Sequence, residues 1–90
     1  MIERSITIQL TGGLEARPIA MLVQVANQHE SSVYIEAEGK KVNAKSIMGM
    51  MSLALGTGES VKVTANGNDE KEALDDIEEY LSGNKKQRRE

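Results

Sequence analysis

Cysteine, phenylalanine and tryptophan are absent from this 90-residue chain, and there is one histidine and one proline. Without cysteine there is no disulfide framework and no thiolate metal site, which points to a reducing compartment and a core that holds by packing alone. The only aromatics, Tyr34 and Tyr80, leave Ile, Leu, Val, Met and Ala to build that core. They also supply no stacking platform for single-stranded nucleic acid. No apolar run approaches the roughly 18 residues of a membrane span, and MIERSITIQL lacks the uninterrupted apolar core of a signal peptide. A soluble, cytoplasmic protein is expected. The formal charge is −3, yet Lys85, Lys86, Arg88 and Arg89 lie in the last six positions. Residues 1–82 carry seven basic against thirteen acidic residues, a net of −6, so the body has no basic footprint for duplex DNA.

What is present is periodicity. Ile2, Ile6, Ile8 and Leu10 alternate with polar residues, interrupted only by Arg4, and predict a half-buried strand over 2–10. Thr11-Gly12-Gly13 breaks it. Ile19, Ala20, Leu22, Val23 and Ala26 recur at helical spacing from Ala16 to about Asn27, with Pro18 suited to the first turn. Val33, Ile35 and Ala37 predict a second strand, which Glu38-Gly39 turns into a third over Lys40 to Asn43. Ser46 is a good N-cap for a short helix over Ile47 to Leu53, and Gly56-Thr57-Gly58 ends it. Val61, Val63 and Ala65 mark a fourth strand. Asn66-Gly67-Asn68-Asp69 supplies a turn and a helix cap, and Ala73, Leu74, Ile77 and Leu81 stripe a last helix ending near Ser82.

The order is βαββαβα, and four strands with one apolar face each predict a two-layer α+β domain, an antiparallel sheet with helices on one side. The domain is expected over residues 1–82, with a flexible basic tail over 83–90.

Chemistry-bearing residues are few. A nucleophilic triad would have to form around His29, which sits between Gln28 and Glu30 with no acid paired to it at helical spacing; an ordinary surface residue at a helix end is expected. Asp69, Glu70, Glu72, Asp75, Asp76, Glu78 and Glu79 lack the ligand spacing and mid-loop glycine of a calcium loop and read as a solvated helix face. No metal and no cofactor is expected. Two segments stand out. In Gly13-Leu14-Glu15-Ala16-Arg17-Pro18 a glycine-rich turn opens a helix, with Glu15 at its positive end. In Lys45-Ser46-Ile47-Met48-Gly49-Met50-Met51 a hydroxyl at a helix start precedes more large apolar side chains than a two-turn helix can bury. Some of Ile47, Met48 and Met51 should therefore be exposed, which suggests an adaptable protein-binding patch; the alternative is that these residues serve core packing.

These segments, with GKKVNAKSIMGMMSLA at 39–54 and NGNDEKEALDDIEEYL at 66–81, resemble the HPr family, the phosphocarriers of the bacterial sugar phosphotransferase system. The resemblance spans nearly all of residues 1–82. It implies the open-faced βαββαβα sandwich, with a four-stranded antiparallel sheet covered on one face by three helices. Carriers in the family hold a histidine where this chain has Glu15; glutamate cannot form a phosphoramidate, so the resemblance argues against carrier activity, and His29 lies at the other end of the helix. Ser46, between Lys45 and Ile47-Met48, matches the position that HPr kinase/phosphorylase modifies with ATP. A missing histidine with a retained serine is similar to the catabolite-repression branch of the family, where glutamine stands in place of the histidine and Glu15 is a departure.

What that resemblance implies is a non-enzymatic corepressor. Once phosphorylated on Ser46 it would bind a LacI-type catabolite control protein and touch neither DNA nor membrane. Arg17, Ala20, Gln24, Lys45, Ile47, Met48 and Met51 would form the partner-binding face. Alternatives are a variant phosphocarrier working through Glu15, and a phospho-regulated module controlling a metabolic enzyme. Exchange of the first strand through the Thr11-Gly12-Gly13 hinge would allow both monomer and swapped dimer.

Overall fold

The computed structural model describes residues 1–10, 16–53 and 55–83, without the side chains of 16 and 17. The expected hinge at 11–13, Glu15, the Arg17 side chain and the basic tail from residue 84 lie outside the described residues.

The elements follow the expected order: β1 (Ile2–Thr7), α1 (Ala16–Asn27), β2 (Ser32–Ala37), β3 (Lys40–Asn43), α2 (Ile47–Met51), β4 (Ser60–Asn66) and α3 (Glu70–Leu81). The strands form one antiparallel sheet in the order β1-β4-β2-β3. Register places apolar residues on one face in cross-strand rows: Ile2, Ala65 and Val33 form one, and Arg4, Val63, Ile35 and Val42 the next. On the other face Glu3, Thr64, Tyr34 and Asn43 line up, and then Ser5, Lys62, Glu36 and Lys41. The period of two thus separates a face that needs cover from one that water can hold.

All three helices lie on the apolar face. Ile19, Leu22, Val23 and Ala26 of α1 and Ala73, Leu74, Ile77 and Leu81 of α3 join the sheet residues in one core, and α2 contributes Met50. Removal of this aliphatic surface from water is the main force that closes the two layers. Arg4, the one polar residue in the apolar alternation of β1, sits at the sheet edge and reaches α3. Its Nη1 donates to Asp75 Oδ1 at 2.8 Å and Glu78 Oε1 at 2.7 Å.

Two elements are shorter than the sequence pattern. β1 leaves the ladder after Thr7, although Ile8 is fully buried and Leu10 half-buried. The Ile8 amide still finds Glu59 O, but the Gln9 amide donates to Leu81 O at the end of α3. The apolar alternation therefore continues through chain that caps a helix instead of pairing with a strand. α2 ends at Met51 because Ser52 folds back, its amide and hydroxyl both donating to Gly49 O, while buried Leu53 belongs to the connection beyond.

The hairpin between β2 and β3 requires positive φ at both turn residues, 54° at Glu38 and 79° at Gly39. Such turns match the twist of the flanking strands, and glycine meets the second position without steric cost.

Candidate functional site

Ser46 stands where the chain leaves β3. Asn43 organises the approach: its side-chain oxygen accepts from the Lys45 amide at 2.8 Å, and its backbone carbonyl from the Ser46 amide at 3.0 Å. This local turn sets Ser46 in extended geometry, φ −111° and ψ 117°, as the N-cap of α2. Its Oγ accepts from the Gly49 amide at 3.1 Å and its carbonyl from the Met50 amide at 2.9 Å. The hydroxyl keeps its own proton and remains half-exposed. Gly49 leaves the space beside it open, where a Cβ would stand 3.4 Å from Ser46 Oγ.

A five-residue helix cannot turn four large side chains inward. Met50 is buried, while Ile47, Met48 and Met51 are 48%, 85% and 56% exposed. α2 packs beside α1, whose outer side carries Ala20 and Gln24, both exposed. Sequence reasoning did not single out a third exposed residue on this side of α1. Met21 of α1 is exposed, and its position between Arg17 and Gln24 at helical spacing was the available signal. The exposed side of α1 and α2 is therefore rich in methionine, with Ser46 at the start of α2.

Lys45 is placed differently from its neighbours. It is half-buried, and its Nζ donates to the His29 carbonyl at 2.7 Å, just beyond the last turn of α1.

His29 is more enclosed than the ordinary surface or helix-end residue expected, and its acidic partners come from outside its own helix. Its side chain is 10% exposed, with Nδ1 3.1 Å from Asp69 Oδ2 and Nε2 2.7 Å from Asp76 Oδ2. Both acids come from the α3 end of the chain, 40 and 47 residues away, a separation at which no local pattern could pair them. Both ring nitrogens are thus engaged by carboxylates of α3 and its cap. Asp69 departs from expectation as well. It occupies the N-cap position of α3 but makes no side-chain cap bond there. Its carboxylate instead accepts from Ser31 Oγ, the Ser31 amide and the Glu30 amide. The Ser31 hydroxyl bond foremost, with the Glu30 and Ser31 amides and His29, outweighs desolvation and holds the Asp69 carboxyl well below the usual carboxylate range. Among the described residues no group of three or more His, Asp or Glu side chains is arranged to hold a metal ion.

Comparison with known proteins supports the fold and the family together. The HPr-like protein Crh of Bacillus subtilis is 51% identical over 81 residues, which cover 90% of this chain and 95% of that protein. The crystal structure of a phosphocarrier protein HPr from Bacillus anthracis superposes with a TM-score of 0.86 at 46% identity, covering 89% of this chain and 95% of the other. A selenomethionyl Crh from Bacillus subtilis, described as a swapped, intertwined dimer, matches with a TM-score of 0.75 at 49% identity over 93% and 97% of the two chains. The family model for the phosphorylation site of the phosphotransferase HPr component matches residues 2–83. With a match across nearly the whole folded body, the chain belongs to the HPr family, whose members are phosphocarrier and regulatory proteins and not enzymes.

Proposed function

We propose that this protein is a regulatory member of the family, phosphorylated on Ser46 by HPr kinase/phosphorylase and then acting as corepressor of a LacI-type catabolite control protein. The observation that carries the reading is the exposure of Ile47, Met48 and Met51 around a half-exposed capping serine. Phosphorylation adds about −1.5 to −2 charges and three acceptor oxygens at that serine. Basic side chains of the regulator pair with the phosphate while the apolar residues fill a recess beside it, so the charge supplies the switch and the patch supplies standing affinity. Arg17, Ala20 and Gln24 extend the face along α1, and Met21 joins them.

Glu15, where carriers hold histidine, removes the phosphoramidate chemistry of sugar transport and leaves the serine route. On this reading the protein works in the cytoplasm, with its kinase and regulator. Among the described residues β1 is an edge strand, paired with β4, and a Crh relative is described as a swapped dimer. Exchange of β1 between two copies is the corresponding dimer here, in balance with the monomer.

The test is intact mass after incubation with ATP and HPr kinase/phosphorylase, beside a sample with enzyme I and phosphoenolpyruvate. One phosphate that depends on ATP, the kinase and Ser46 is expected, with none from phosphoenolpyruvate. Phosphate arriving from enzyme I would overturn the reading in favour of a variant carrier. Operator binding by the regulator should then strengthen only with the phosphorylated protein.

A further inference from the structure

His29 and Lys45 form a link between α3 and the segment that carries Ser46, although they play no part in the core. The His29 ring is clamped at both nitrogens by Asp69 and Asp76. Asp69 also fastens the two residues that follow, accepting from the amides of Glu30 and Ser31 and from Ser31 Oγ. Residues 29–31 are thereby fixed to the start of α3, and with them the His29 carbonyl. That carbonyl receives the Lys45 ammonium at 2.7 Å, and Lys45 is the residue before Ser46. Asp69 makes this arrangement at the expense of the side-chain cap its position would ordinarily give α3.

We propose that His29 is a positioning residue for the Ser46 segment, acting through its carbonyl on Lys45. α2 is short and buries one side chain, Met50, so its first turn depends on what holds the chain leading into it. Asn43 fixes the Lys45 and Ser46 amides from within the same turn, whereas Lys45 Nζ ties that turn to α1 and, through His29, to α3. Phosphoryl transfer to a hydroxyl is sensitive to displacements of the order of 1 Å, so a loosened tether lowers the rate at Ser46 without removing any group that takes part. This inference rests on the reading of Ser46 as the modified residue, but the mechanical link stands apart from it.

Two measurements on the full chain separate the two claims. Hydrogen exchange at the Gly49 and Met50 amides, which bond to Ser46 Oγ and Ser46 O, reports on the first turn of α2. Phosphorylation of Ser46 by HPr kinase/phosphorylase with ATP reports on its presentation. Lys45→Met, which keeps an apolar stem and drops the ammonium, should raise exchange at both amides and lower kcat/KM, each by about fivefold, as expected for the loss of one hydrogen bond. His29→Ala should act in the same direction on both readouts, and Lys45→Arg, which keeps a donor, should restore them. Arg4→Ala is the control, since it breaks ionic contacts between β1 and α3 and should leave both readouts unchanged after correction for global stability. Unchanged exchange in both Lys45→Met and His29→Ala would overturn the inference, as would an equal loss in Arg4→Ala. A slower kinase reaction in Lys45→Met alone, with normal exchange, would make Lys45 a direct kinase contact and also overturn it. If the wild-type protein takes no phosphate from the kinase, the proposed function fails while the exchange arm still decides the link.

Discussion

Ser31 Oγ donates to Asp69 Oδ1 at 2.5 Å, joining residues 38 apart in the chain. This bond closes the end of the molecule where α1 finishes and α3 starts, and it has a defined pH dependence. The Asp69 carboxyl is held below its ordinary value first by Ser31 and then by the amides of Glu30 and Ser31. An acid whose folded value lies below its unfolded value contributes stability that is fully present above the unfolded value and is lost as pH falls toward the folded one. Asp69→Asn should therefore unfold more easily than wild type at neutral pH, and the gap should close as pH drops below about 4, the ordinary range for aspartate. Denaturant melts of both proteins from pH 7 down to pH 2.5 check this; a gap independent of pH would contradict it.

Gly67 passes close over the same loop. A Cβ at this position would stand 2.7 Å from Ser31 Cα and 2.9 Å from Ser31 Cβ, at a φ of 157°. Backbone is in the way, so no side-chain rotation relieves the clash. Gly67→Ala should cost about 1–3 kcal/mol, the usual range for overpacking, and chemical denaturation should show a lower midpoint with an unchanged slope.

Two methionines two residues apart should behave in opposite ways. Met50 is fully buried and Met48 is 85% exposed. Met50→Ala should destabilise by about 2–5 kcal/mol, as buried truncations do. Met48→Ser should change stability by less than about 0.5 kcal/mol while weakening binding of the Ser46-phosphorylated protein to the proposed regulator, read by calorimetry or by operator retention.

Ser46 has a structural task as well as the proposed regulatory one. Its Oγ caps α2 through the Gly49 amide, so Ser46→Ala should lose about 0.5–2 kcal/mol, and Ser46→Asp, which keeps an acceptor, should lose less. Thermal melts of the two variants check the order. Binding by Ser46→Ala has to be compared at a temperature where all of the protein is folded.

Much of the fold was legible because its signals are local and repeated. Val33, Ile35 and Ala37, and Val61, Val63 and Ala65, alternate in burial as they alternate in sequence, and the stripes of α1 and α3 form the core. The errors lie where apolar periodicity and hydrogen bonding part company. Ile8 is as buried as any strand residue, yet the next amide bonds to a helix end, and Leu53 is buried beyond the last turn of α2. In the candidate site, the capping serine and the surplus of apolar side chains after it were readable from spacing alone. The bracketing of His29 was not, because its two carboxylates arrive from a helix 40 or more residues away. The same long-range contacts drew Asp69 from the cap that its local sequence predicts.

Met50 is the one buried residue of α2, whereas α1 and α3 each sink at least four side chains into the core. Burial of that kind sets how much free energy a segment needs to open by itself, so α2 separates from the body at a lower free energy than the long helices. The α2 part of the proposed partner surface thus sits on a more pliable segment than the two long helices. A partner that docks there sets the final arrangement of flexible methionine side chains, and gives up some affinity to the ordering of the segment. In return one small face can conform to recesses of different shape, while the sheet beneath it keeps its register.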